Sequence, residues 1–179
     1  MILVLIFAGL ALTALVVLHR AARGHVASVQ SLEELEACAL PVDLDAFRNL
    51  VDPAEEDYLR THLSPAEFRR IQRRRLRAAL TYVRRASHNA AVLVRLGEAA
   101  RESSDPEVTR AGQDLVNSAL RMRLYTTQVQ ARLFLLILVP GAPLSLTSVA
   151  DRYQALRERV GRLCRLQQPA YAGRISAAL

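Results

Sequence analysis

SPAEFRRIQRRRLRAALTYVRR, residues 64–85, decides how the rest of the chain is read. Ser64 before Pro65 places an N-cap side chain ahead of a proline at the first helical position, where a missing N–H costs nothing. Glu67, three residues after Ser64, completes a capping box. No proline follows Pro65 until Pro106, and none follows Pro106 until Pro140, while Asp105-Pro106 repeats the start signal. The spacing predicts two long helices, 65–102 and 106–139, joined by the short loop SSD. Helices so connected lie antiparallel as neighbours, giving an αα-hairpin about 50 Å long at ~1.5 Å rise per residue.

Working outward, Asp52-Pro53 and Ser31 with Glu34 mark earlier short helices. A last helix at 148–167 repeats apolar residues at Val149, Tyr153, Leu156, Val160 and Leu163, the three-and-four spacing of a packing seam. The second long helix has such a seam at Val108, Ala111, Leu115, Ala119, Met122, Thr126, Val129, Leu133 and Leu136. The first offers smaller residues, Ala79, Val83, Ala86, Ala90, Leu93, Gly97 and Ala100, which reads as close helix packing rather than a ligand groove. Gly97 inside a helix costs on the order of 1 kcal/mol against alanine, so a close approach there accounts for it.

The 179 residues are 51% apolar with a mean hydropathy of +0.12, and contain 7 glycines and 7 prolines. That composition excludes disorder and favours helices, and no stretch alternates with period two long enough for a sheet. Cys38 and Cys164 are far apart and form no CxxC, which argues against a metal site or disulfide framework. All 24 basic residues are arginine. Arginine suits bidentate phosphate recognition, but a codon bias towards arginine explains the absence of lysine without any function.

Residues 2–18, ILVLIFAGLALTALVVL, carry no charge. Extended to His19 as a helix they reach about 27 Å, close to a bilayer's hydrocarbon thickness. A signal peptide wants its basic residues first, whereas here Arg20 and Arg23 follow the apolar run. The expectation is therefore a transmembrane anchor at 1–20, with the N-terminus outside and the body in the cytoplasm by the positive-inside rule. The full expected fold is all-α: a single transmembrane helix, acidic short helices over 21–63, a helical bundle over 64–168 built on the hairpin, and a tail at 169–179. Its expected location is the cell membrane.

Eight arginines lie between Arg69 and Arg85 with no acid among them. At ~100° per residue Arg69, Arg70, Arg73, Arg74, Arg77, Arg84 and Arg85 fall within an arc of about 160°, away from the apolar stripe. Arg75 falls at the edge of that stripe, where it snorkels, pairs with Glu55 or Glu56, or binds a ligand. Folding the hairpin at its loop sets position 85 near 123 and position 69 near 139. This adds Arg121, Arg123 and Arg132 to the cluster and places it beside LFLLILV, 133–139, while Glu98, Glu102, Asp105, Glu107 and Asp114 gather at the other end.

Three partners compete for this basic face. The chain's own acidic segment 31–57 would neutralise it by folding against it; anionic lipid headgroups would suit a tethered body; nucleic acid is disfavoured, because aromatic residues make up 5% of the chain and no nucleic-acid signature accompanies the patch. No catalytic, cofactor or metal motif appears, and a Walker lysine is impossible without lysine. His88, in the trio SHN, resembles the phosphoacceptor of a histidine-kinase hairpin only over those three residues, and is otherwise expected to be a solvent-facing histidine. The sequence thus points to a membrane-anchored, non-enzymatic interaction or scaffold module that binds a protein partner or lipid through Arg69, Arg70, Arg73, Arg74, Arg77, Arg84, Arg85, Arg121 and Arg123. The alternatives are a phosphotransfer or sensor component using His88 and an accessory subunit of a membrane complex in which LFLLILV is a protein contact.

Overall fold

The computed structural model describes residues 32–138, 147–168 and Leu179. Six helices follow in order: α1 (Leu32–Cys38), α2 (Leu44–Leu50), α3 (Pro53–His62), α4 (Pro65–Ala100), α5 (Pro106–Leu138) and α6 (Thr147–Gln167). Among the described residues there is no strand.

Local chemistry starts the helices where the sequence signals them. Ser64 Oγ accepts from the Glu67 N–H while the Glu67 carboxylate accepts from the Ser64 N–H, closing the capping box at α4. The Ser64 side chain and backbone donors hold the Glu67 carboxyl below its usual value, so the box is intact at neutral pH and weakens as acid protonates Glu67. Asp43 accepts from the N–H groups of Asp45 and Ala46 at α2, and Asp52 accepts from Ala54 at α3.

α4 and α5 form the expected hairpin and most of the core. Near the turn the backbones nearly touch. A Cβ added to Gly97 would lie 2.8 Å from Val116 Cγ2 and 2.9 Å from the Gly112 carbonyl oxygen, and one on Gly112 would lie 2.9 Å from Ala100 Cβ and from the Gly97 carbonyl oxygen. Both glycines are therefore required by the crossing. At mid-hairpin the Arg84 guanidinium lies 5.5 Å from the centre of the Phe134 ring, although counting from the loop pairs position 84 with about 124. The difference follows from side-chain direction: helical side chains lean towards their own N-terminus, so both residues reach about one turn back along antiparallel axes and meet.

α6 packs chiefly on α5, burying Val149, Tyr153, Leu156, Val160, Leu163 and Cys164. Burial pushes the Cys164 thiol up to about 11, and both Cys38 and Cys164 are free thiols. The N-terminal helices lie against α4, with Leu35, Leu44 and Phe47 buried.

The segment joining these short helices has few backbone partners of its own, and α4 side chains supply them. Asn89, fully buried, accepts from the Leu40 N–H at 2.8 Å and donates to the Leu40 carbonyl at 2.7 Å. Its amide also donates to the Tyr153 hydroxyl, which donates in turn to the Leu179 carbonyl at 2.8 Å. The Val42 N–H reaches the same carbonyl at 3.3 Å. Arg85 donates to the Pro41 carbonyl at 3.1 Å, and Arg75 donates to the Leu50 carbonyl through Nε at 3.2 Å and Nη2 at 2.9 Å. One face of α4 therefore clasps the α1–α2 connection and the C-terminal end of α2 by their main-chain groups.

One expectation is corrected. Among the described residues no helix is long and apolar enough to cross a membrane. α4 carries arginine in nearly every turn of its first half, and the most apolar run of α5 is the six residues 133–138, directly after Arg132. The proposed anchor at 1–20 lies outside the described residues. The fold is thus an all-α helical bundle, and the single-pass topology and cell-membrane location have no spanning helix behind them among the described residues. The tail expected at 169–179 is described only at Leu179, which is 2% exposed and belongs to the core.

Three measurements check this account. Gly97→Val should lower stability by about 3 kcal/mol in urea denaturation, because neither the Gly112 carbonyl nor the Val116 backbone can yield without parting the helices. Asn89→Ala should cost about 2–4 kcal/mol by stranding the Leu40 main-chain groups. Burial raises the Tyr153 hydroxyl to about 12, so its neutral form is the folded one. Its contribution is complete below about pH 10 and is lost as pH rises towards 12, on the order of 2–3 kcal/mol, and Tyr153→Phe should flatten that alkaline decline.

Candidate cationic interface

The N-terminal half of α4 presents Arg69, Arg70, Arg73, Arg74 and Arg77, all exposed. They follow at spacings of three and four along about 12 Å of helix axis, so neighbouring guanidiniums repel one another on one surface. Among the described residues no ion pair engages any of the five. Glu67 is held by Ser64, whose Oγ lies 2.6 Å from it, and the charge of Arg70 also acts on its carboxylate.

The acidic segment folds against α4, and five of its carboxylates, those of Asp43, Asp45, Asp52, Glu55 and Glu56, are engaged away from Arg69, Arg70, Arg73, Arg74 and Arg77. Asp45 pairs with Arg48 at 3.2 Å, Glu56 with Arg60 at 2.7 Å and Glu55 with Arg75 at 3.3 Å. Asp43 and Asp52 cap their helices. The segment is attached to α4 mainly through its backbone, with Glu55–Arg75 as an ion pair between them.

The remaining arginines of the basic face have separate surroundings. Arg84 is exposed and sits over Phe134, joining α4 to α5. Arg85 holds the Pro41 carbonyl, a structural role. Arg123 is half-buried, and burial, with Arg95 nearby, depresses its basicity. Arg121 is exposed and lines a groove of about 380 Å³ between α5 and α6. Arg75 pairs with Glu55, one of the alternatives read from sequence, but its main partner is the Leu50 carbonyl. Its side chain is only 12% exposed, and Nη1 is buried with no hydrogen-bond partner.

Sequence reasoning missed the groove. Arg159 and Arg162 of α6 face Arg121, Asn117 and Ser118 across it, and Arg152 joins at one end with its guanidinium 4.5 Å from the centre of the Tyr125 ring. Their spacing of seven and three residues, 152, 159 and 162, put them on one helix face and was the available signal. Asp114 and Glu158 also line the groove, so its charge is mixed where the α4 cluster's is not.

His88 is not solvent-facing as expected. It is half-buried, with Nε2 3.1 Å from the Cys38 carbonyl. A carbonyl only accepts, so Nε2 carries the proton and ties the ring into the clasp. Among the described residues no group of three or more His, Cys, Asp or Glu side chains is placed to hold a metal ion. No protein-family model matches the chain, and neither a curated protein nor a solved structure matches it.

The cluster and the clasp respond oppositely to substitution. Arg73→Glu converts repelling pairs with Arg69 and Arg77 into attracting ones, so thermal stability should hold or rise by a few tenths of a kcal/mol. Arg75→Gln should cost about 2 kcal/mol by releasing the Leu50 carbonyl. Parallel thermal melts of the two variants check both.

Proposed function

We propose that the chain is a non-catalytic helical binding module whose α4 arginine cluster receives an acidic protein segment. The observation that carries this reading is that Arg69, Arg70, Arg73, Arg74 and Arg77 stand exposed without ion pairs while nearby carboxylates are committed to other partners. Concentrated like charge on one helix face is unfavourable for the isolated protein. A carboxylate-bearing partner relieves it, and arginine's planar fork suits bidentate contacts to Asp and Glu. An extended acidic segment of about four residues spans the ~12 Å cluster at 3.3 Å per residue.

An acidic protein segment is favoured over nucleic acid because the run from Arg69 to Arg77 contains no aromatic residue on which a base could stack. Phe68, the aromatic residue next to it, is half-buried and lies 5.5 Å from the Arg60 guanidinium. The membrane-anchored role and its lipid partner are not retained, since among the described residues no helix is long and apolar enough to cross a membrane.

A fluorescent oligoglutamate peptide titrated against the full chain tests the reading. Binding should weaken steeply with salt and vanish as the peptide's carboxylates protonate near pH ~4. Arg70, Arg73, Arg74 and Arg77→Glu together should lower affinity at least ~tenfold. Tighter binding of an oligothymidine of equal charge, or unchanged peptide affinity in the variant, would overturn it.

A further inference from the structure

The outward side of α5 carries a second apolar repeat that the bundle leaves uncovered. Leu120, Leu124, Thr127, Ala131, Phe134 and Leu138 follow at steps of four, three, four, three and four residues, the heptad spacing of a coiled-coil seam. At ~100° per residue they occupy an arc of about 80°, opposite the side that buries Leu115, Val129 and Leu133. Leu124 is 53% exposed, Phe134 47% and Leu138 73%, with Leu135 beside them at 65%. Single exposed leucines are ordinary; a continuous strip about 27 Å long is not.

Arginine borders this strip on both sides. Arg121 and Arg132 flank one edge, and at the other Arg84 of α4 lies over the Phe134 ring. Residues 115–138 contain no Asp or Glu. We propose that the seam docks an amphipathic helix of another protein, one with a leucine-type heptad stripe and Asp or Glu at its flanking positions. Charge complementarity selects this occupant, since flanking charges set partner choice in helix pairs. A second copy of the chain would bring arginine borders against arginine borders in either orientation. The chain's own apolar segment 2–18 has the length, but residues 1–30 contain no acid to answer the borders. The surface is distinct from the exposed cluster at Arg69–Arg77, which lies on another helix.

The test uses the full chain and two labelled 21-residue helical peptides with the same leucine stripe, one flanked by Glu and one by Lys. The Glu peptide should bind at least ~tenfold more tightly than the Lys peptide. Leu124→Gln with Leu138→Gln should lose that binding at least ~tenfold, with helicity and melting temperature unchanged because both side chains are exposed. The Arg70, Arg73, Arg74 and Arg77→Glu variant should retain Glu-peptide binding, so failure of the oligoglutamate site and failure of the seam are separate results. Equal binding of both peptides, or undiminished binding by the leucine variant, would overturn the proposal. So would a dimer in sedimentation that the leucine variant dissolves, or a photocrosslinker at position 124 that captures residues 2–18 in the free chain.

Discussion

The bundle depends on main-chain groups at the ends of α1 and α2 and in the connection between them that find no partner within a helix. Buried amides and carbonyls left unpaired cost more than most side-chain contacts return, so a strip like this docks only where side chains meet it group by group. α4 supplies those side chains as His88, Asn89, Arg85 and Arg75. Their positions explain why polar residues interrupt an otherwise apolar helix face. They also explain why the acidic short helices contribute so little charge neutralisation: they are held by backbone, and their carboxylates remain free to cap and to pair locally.

The division of labour along α4 follows from that constraint. Towards the turn the helix is narrow, with Gly97 against Gly112, and the two long helices approach until their backbones are in contact. Towards the N-terminus the same helix is wide, carrying arginines that reach outwards. The clasp lies between, and it separates arginines that serve structure, Arg75 and Arg85, from those that face solvent. Net charge alone would have grouped them all.

Much of the architecture is written in local signals. Proline with an N-cap residue marks the starts of α3, α4 and α5, and the three-and-four repeats name most of the buried residues of α5 and α6. Gly97 announces a close approach by being costly in a helix. The polar clasp was not legible, because nothing local to Asn89 says that Leu40 and Tyr153 will meet it from 49 and 64 residues away. Arg75 stood out by its angle, yet its main partner is a carbonyl, a group every residue has and composition cannot single out. The membrane reading rested on hydropathy of residues 2–18 and on a general charge rule, and the described helices add no spanning element to it.

The separations within the Asn89 network also bear on how the chain reaches its native state. The α4–α5 hairpin closes through a short loop, and its contacts near the turn are close in sequence, so it is placed to form early. Leu40, Asn89, Tyr153 and Leu179 instead converge from across the described chain, with loop-closure entropy opposing each step. The buried Asn89 amide is therefore fully bonded only once the α1–α2 connection, α4, α6 and Leu179 have all come together.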